Sequence, residues 1–432
     1  MTCSESSISK FSFYIIVLRI VRAFSHEGVT VLRTFSEPHQ MEKLWNPNYC
    51  KVMAANFSLF FAFYLLTPLL PLYLSENFGA TKDMIGLVLS GYTVTALLSR
   101  PFSGFMVDSF DRKHMLMFFY ALFFAFFAGY LVAGSILLFS IVRTLHGAPF
   151  GSLTVANSTV AIDVLPSSRR NEGIGFYGLS NNLAMALAPT TGIAIYQLTG
   201  NFHLLFWLSL IVAGAGMAID STVKLQRRPL VSKTQKWSFD RFFLTRGWLL
   251  AANMVFFGFC FGVLQNYLAI YSKEALGITG GTGVFFMIVS VGLIVSRLMG
   301  SRSLRNGKLT ENALHGMLFS TAGYVLFVAC ANHFGYYLSA LLIGLGNGLI
   351  WPAFLNMIIA MAYNNQRGTA NSTLLVSWDV GIGLGVLIGG FLVEFTGYTA
   401  TFLWVAMAQV GGAALFVSAT KGFFMRRRLA AD

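Results

Sequence analysis

Charge is scarce in this sequence: Asp, Glu, Lys and Arg make up 11% of 432 residues, against about 25% in soluble domains. So few charges cannot clothe a soluble domain, which excludes an ordinary soluble enzyme. Cysteine is sparse too. Cys3, Cys50, Cys260 and Cys330 show no metal-ligand spacing, and the last two sit in apolar runs, so neither a disulfide framework nor a zinc site is expected. Gly280-Gly281-Thr282-Gly283 lacks the Gly-Lys-Ser/Thr ending of a phosphate loop, leaving ATP-driven work without support. No paired carboxylates or metal-spaced histidines suggest catalysis, and no cofactor is expected.

What is abundant is apolar. Hydrophobic residues reach 56%, with 42 Phe and 42 Gly; Phe satisfies lipid, and small residues let membrane helices approach closely. A spanning helix needs about 20 apolar residues, and twelve such runs fall between residues 52 and 418. The prediction is an all-α membrane protein of twelve transmembrane helices, working inside the bilayer.

The net charge of +13 follows topology rather than a nucleic-acid groove. Arg112, Lys113, Arg169, Arg170, Arg302, Arg305, Lys308, Arg367 and the basic stretch from Lys224 to Arg246 all follow even-numbered runs. The loops after odd-numbered runs offer only Lys82 and Lys273. This bias places both termini in the cytoplasm, with no nucleic-acid partner.

The two halves repeat at a nearly constant offset. Ala54-Ala55-Asn56 recurs as Ala251-Ala252-Asn253, Ser99-Arg100 as Ser296-Arg297, Gly147 as Gly344, Gly151 as Gly348 and Thr199-Gly200 as Thr396-Gly397, all at 197 residues. Six helices lie between equivalent positions, so the halves are parallel, related by an axis along the membrane normal. The expected organisation is an N-terminal extension (1–50), a first six-helix bundle (51–222), a basic linker (223–246), a second bundle (247–420) and a basic tail (421–432). The extension is either an interfacial amphipathic segment or sequence upstream of a start at Met41. Arg19 and Arg22 interrupt its apolar run, and it has no small-residue cleavage site, so it is not read as a signal peptide.

Arg100-Pro101-Phe102-Ser103-Gly104-Phe105-Met106-Val107-Asp108-Ser109-Phe110-Asp111-Arg112-Lys113 resembles the signature loop between helices 2 and 3 of the major facilitator superfamily, G-x-x-x-D-x-x-G-R-[KR], with Asp111 where Gly is usual. A degenerate copy, Gly300 to Lys308, follows helix 8. Arg143-Thr144-Leu145-His146-Gly147 resembles the family's R-x-x-Q-G motif on helix 4, and Ala184 to Gly192 is a weaker likeness of its exporters' helix 5 motif. The resemblance implies two parallel six-helix bundles working by alternating access. It also implies a cytoplasmic latch of Gly104, Asp108, Arg112 and Lys113 that stabilises the outward-facing state. An acid beside two bases on a short turn can hold a neighbouring helix end in one state and release it in another.

Ionisable groups inside a span need a reason. Asp379 lies twelve residues past Arg367, about 18 Å along a helix and so near mid-bilayer. The ridge of Gly381, Gly385 and Gly389 points elsewhere, which favours Asp379 in a central cavity and makes it the leading proton-coupling residue; its repeat mate, Asn182, is uncharged. By the resemblance, Arg143 serves proton transfer or holds an anionic group, and helices 1, 4, 7 and 10 line the pathway. The cavity would then contain Asn56, Phe60, Asn182, Asn253, Phe257, Asn347 and Trp351, an aromatic lining suited to amphipathic substrates. The expected function is proton-coupled efflux of small amphipathic or aromatic compounds, by a monomer in a bacterial inner membrane. The alternative is uptake of a sugar, nucleoside or organic anion. The partners expected are a small-molecule substrate, protons and the lipid bilayer.

Overall fold

The protein is described here by a computed structural model covering residues 43–225, 239–278 and 282–429. The expected segment before Met41, most of the basic linker and the last three residues lie outside the described residues. Among those described there is no strand.

The helices are α1 (Pro47–Leu66), α2 (Leu70–Phe78), α3 (Lys82–Ser109), α4 (Arg112–Val132), α5 (Ile136–Val164), α6 (Arg170–Thr199), α7 (Phe202–Ser221), α8 (Trp248–Leu276), α9 (Thr282–Arg305), α10 (Leu309–Ala329), α11 (His333–Ala360), α12 (Arg367–Leu415) and α13 (Lys421–Arg427). Their starts follow local chemistry. Asn46 caps α1 through the Tyr49 amide with Pro47 in the first turn, and Asn332 caps α11 through Gly335. Asp111 caps α4 through His114 with φ −61°, so the position where glycine is usual needs no left-handed residue.

Among the described residues, nine helical stretches are long and apolar enough to cross a membrane. Two features separate that number from the twelve expected. The helices α3 and α6 are 28 and 30 residues long but outside the set, for they carry polar groups such as Arg100, Asp108 and Glu172. The last stretch runs through a fold at Gly397, where φ is 78° and ψ 170°, a conformation only glycine adopts without strain. Its repeat mate Gly200 also has positive φ, 61°, at the turn between α6 and α7.

The sequence repeat is a packing repeat. A Cβ on Gly147 would lie 2.0 Å from the Tyr92 carbonyl, and one on Gly344 would lie 2.2 Å from that of Val289; likewise Gly151 meets Ala96 at 2.4 Å and Gly348 meets Leu293 at 2.8 Å. Each contact is the other's copy at offset 197. Thus α5 presses on α3 as α11 presses on α9, backbone against backbone, because only glycine leaves room.

Between the halves, α12 packs on α3 and α5, while α6 packs on α9 and α11. One hydrophobic core lies wholly in the first half and another wholly in the second. A third joins them at the end carrying the basic loops, bringing Tyr49, Ile162, Leu165 and Ile174 against Leu304, Ile350, Phe354 and Ile358. The halves are therefore fastened at this basic end.

Candidate functional site

The fastening is polar as well as apolar. The Asp108 carboxylate, at the end of α3, accepts from the Gly368 amide (2.9 Å), the Thr369 amide (2.7 Å) and the Thr369 hydroxyl (2.9 Å). It therefore caps the first turn of α12 across the interface, where helix-terminal N–H groups and dipole both favour an anion. Gly104 is needed one turn earlier, since a Cβ there would lie 2.7 Å from Ser372. Arg112 holds Asp108 at 2.9 Å, and its other terminal nitrogen is paired with Asp163 at the end of α5. Arg367, the first residue of α12, bonds the second Asp163 oxygen at 3.2 Å. Lys113 turns away from the interface to the carbonyls of Asp220, Ser221 and Val223 in its own half.

Deeper in, Arg100 on α3 reaches across to α12. It donates to the Leu375 carbonyl (3.3 Å) and forms an ion pair with Asp379. The Asp379 side chain retains 21% exposure, against 9% for Arg100. Among the described residues, the cross-half hydrogen bonds run from the basic end inward as far as this pair. The separation of Asp379 from the glycine ridge does hold, because Gly381 and Gly385 meet α8 backbone. Yet the expectation of Asp379 in a cavity rather than in a helix contact needs correcting: its carboxylate is bonded across to α3 while remaining partly exposed. Arg100 was legible as a repeat marker and as the start of the signature stretch; its place in α3, nine residues from the helix end, was the signal that it sits deeper than the loop.

Arg143 does not join Asp379. Its Nη1 donates to the Tyr130 hydroxyl at 3.2 Å and its guanidinium lies 4.0 Å from the centre of the Tyr92 ring and 5.9 Å from that of Phe63. Tyr130 also bonds His146 at 2.8 Å. Arg143 is thus a buried cation among aromatic rings with no carboxylate partner among the described residues, stabilised by π-faces in place of a counter-ion.

The residues expected along one cavity are dispersed. Asn56 is 1% exposed and bonds Ser180 and Tyr177 within the first half, and Asn253 is fully buried against Thr420 in the second. Phe60 packs on Phe150, and Phe257, 2% exposed, packs on Phe354. Asn347 bonds Ser320 of α10 at 3.4 Å. Asn56, Asn253 and Phe257 are buried in helix contacts, a correction arising because helix periodicity gives a face but not the neighbour that covers it, whereas Phe60 and Asn347 are half-buried. Trp351 differs: it meets Trp378 edge to face at 5.6 Å, Trp378 meets Phe261 at 5.6 Å, and Asp379 follows Trp378 directly. Asn182, on α6, is 6% exposed with its Nδ2 unpaired. Arg367 was legible only as a loop charge, Arg297 only as a repeat marker and Asp163 not at all; their contacts lie across the interface, which no local motif records.

Comparisons with known proteins agree with this geometry. Residues 52–311 match the model of the Major Facilitator Superfamily. The chain is 21% identical over 362 residues to the staphylopine export protein of Staphylococcus aureus strain Mu50, covering 78% of this chain and 87% of that protein. It is 24% identical over 371 residues to the uncharacterized MFS-type transporter YhhS of Escherichia coli K12, covering 84% and 89%. Among solved structures, the human organic anion transporter MFSD10 superposes with TM-score 0.74 at 16% identity, covering 85% of this chain and 98% of that one. The transporter FucP in its outward conformation does so with TM-score 0.74 at 15% identity, covering 89% and 100%. An integral multi-pass protein fastened at one end of two parallel bundles, matched over most of its length, belongs to the Major Facilitator Superfamily and is a secondary transporter of small molecules, not an enzyme.

Proposed function

We propose that this chain is a proton-coupled exporter of small amphipathic or aromatic compounds, with twelve spans in the two bundles outlined above, acting as a monomer with both termini in the cytoplasm of a bacterium. With the basic end cytoplasmic by the positive-inside rule, a chain fastened there faces outward. The observation that carries the reading is the Arg100–Asp379 pair, which spans the interface with its acid still partly exposed.

An ionised Asp379 holds Arg100 and keeps the cytoplasmic end closed. A proton arriving from outside removes the acid's charge, releases Arg100 and lets α3 and α12 part. The halves then rock, the proton leaves toward the cytoplasm, and a substrate loaded from that side favours the return. Breaking a buried pair costs about 3–5 kcal/mol, and a proton moving down 100 mV supplies about 2.3 kcal/mol before any pH gradient, so the two are of comparable size. The ring cluster of Trp351, Trp378 and Phe261, built on the residue preceding Asp379 in sequence, suits flat apolar compounds. The staphylopine export relative supports the direction.

Direction is tested in cells producing the protein by collapsing the proton gradient while following retained compounds. An export substrate accumulates on collapse; a compound that declines instead supports the uptake alternative.

A further inference from the structure

Arg297 on α9 is the repeat mate of Arg100, and it makes the mirror-image crossing. Arg100 passes from α3 to α12; Arg297 passes from α9 to α6, donating to the Gly175 carbonyl at 3.0 Å. Its guanidinium lies against Gly178, where a Cβ would sit 1.9 Å from Nη1. Gly178 is the mate of Leu375, whose carbonyl Arg100 engages. Two arginines thus enter equivalent places on the two sides of one pseudo-twofold axis.

They differ in what answers the charge. Arg100 has Asp379, whereas the equivalent position opposite Arg297 is Asn182. Arg297 is 6% exposed, and among the described residues no carboxylate pairs with it. Its Nε has no acceptor, and neither does the Nδ2 of Asn182, one turn beyond Gly178 on the same face of α6. The Nε of Arg100 is unpaired as well, so the difference lies in Asn182, a buried donor without an acceptor standing where the other half carries a carboxylate. A buried cation in this position is costly unless something neutralises it, and a guanidinium fork with a neighbouring amide matches a planar carboxylate.

We propose that Arg297 and Asn182 form a binding site for a carboxylate group on the transported compound, so that substrate supplies in the second crossing the charge that Asp379 supplies in the first. This rests on the reading of the chain as a transporter and narrows its substrates to organic anions. The arriving carboxylate takes Arg297 from the Gly175 carbonyl and loosens the α6–α9 contact while the α3–α12 contact stays under the control of Asp379. Substrate and proton then act on opposite sides of the same interface.

The test uses the full-length protein purified in detergent, with benzoate, salicylate and glutarate as probes and benzamide as the uncharged counterpart. Thermal unfolding is followed in the wild type, Arg297→Gln, Asn182→Asp and the exposed-site control Arg302→Gln. The carboxylates, but not benzamide, raise the melting temperature of wild type and control. Apparent affinity falls about 10- to 100-fold in Arg297→Gln. Asn182→Asp supplies an internal counter-charge, so it folds at least as stably as wild type yet loses the carboxylate response; it keeps the test decisive if Arg297→Gln fails to fold. A wild type unmoved by every carboxylate, or a response retained in Asn182→Asp, overturns the site. Counterflow of ethidium and of salicylate in proteoliposomes separates this from the parent reading: ethidium flux without a carboxylate response sinks only the anion site, whereas absence of both fluxes sinks the proposed export of amphipathic compounds.

Discussion

Replacing Asp108 with Asn keeps the shape of the side chain and removes its charge. In the closed state Asp108 accepts from two amides and a hydroxyl at the start of α12, at 2.7 to 2.9 Å, and from Arg112. The bond to Arg112 stays within the first half, so its loss burdens both conformations; the three to α12 exist only while the basic end is shut. An amide has one acceptor oxygen and turns its NH2 toward donors, so most of those three bonds and the helix-dipole term are lost. At roughly 1 kcal/mol or more for each charge-assisted bond, the closed state loses about 3 kcal/mol relative to the open one, about a 100-fold shift in their ratio. Spin labels at Ser167→Cys and Asn306→Cys, exposed on the basic ends of the two halves, report this in a background without the native cysteines. The wild type gives one short distance by electron–electron double resonance, and Asp108→Asn gives a second, longer population that dominates. A distance distribution identical to wild type would refute the assignment of Asp108 as the fastening between halves.

Other outcomes follow from the same contacts. Asp111 caps α4, and the His114 amide bonded to its carboxylate holds that group below the ordinary carboxylate range. Such a group stabilises the fold above its unfolded pKa and loses that contribution as pH falls through the lower folded value. Asp111→Ala therefore costs about 1 kcal/mol of stability at pH 7, seen as a lower melting temperature, and the difference from wild type closes as pH drops below about 4. Gly344→Val places a branched side chain where a Cβ alone meets the Val289 carbonyl at 2.2 Å. It separates α11 from α9 and lowers the monodisperse yield on size exclusion, as Gly147→Val does for α5 and α3, whereas Val at the open position Gly411 does not.

The parts of this molecule written in the sequence are those set by one helix or by the repeat. Gly147 and Gly344 announced their close contacts because both halves need the same small residue at the same place, and Asp108 with Arg112 announced a turn that grips a helix end. Asp111, where glycine is usual, is a helix cap. The partner of Asp379 was not legible. Arg100 lies 279 residues away in sequence, and nothing local distinguishes an acid open to a cavity from one bonded across an interface. Asn56 and Asn253 misled for the related reason that a polar face on a membrane helix serves equally to line a pathway or to grip a neighbour, and tertiary packing decides which.

Coupling by Asp379 is tested most directly by measuring proton and substrate movement together in proteoliposomes holding a trapped pH indicator. Wild type should move protons opposite to substrate. Asp379→Asn should move none, while still exchanging labelled for unlabelled substrate across the membrane. Proton movement at the wild-type rate in Asp379→Asn would contradict the mechanism, leaving the Arg100–Asp379 pair as a structural tie alone.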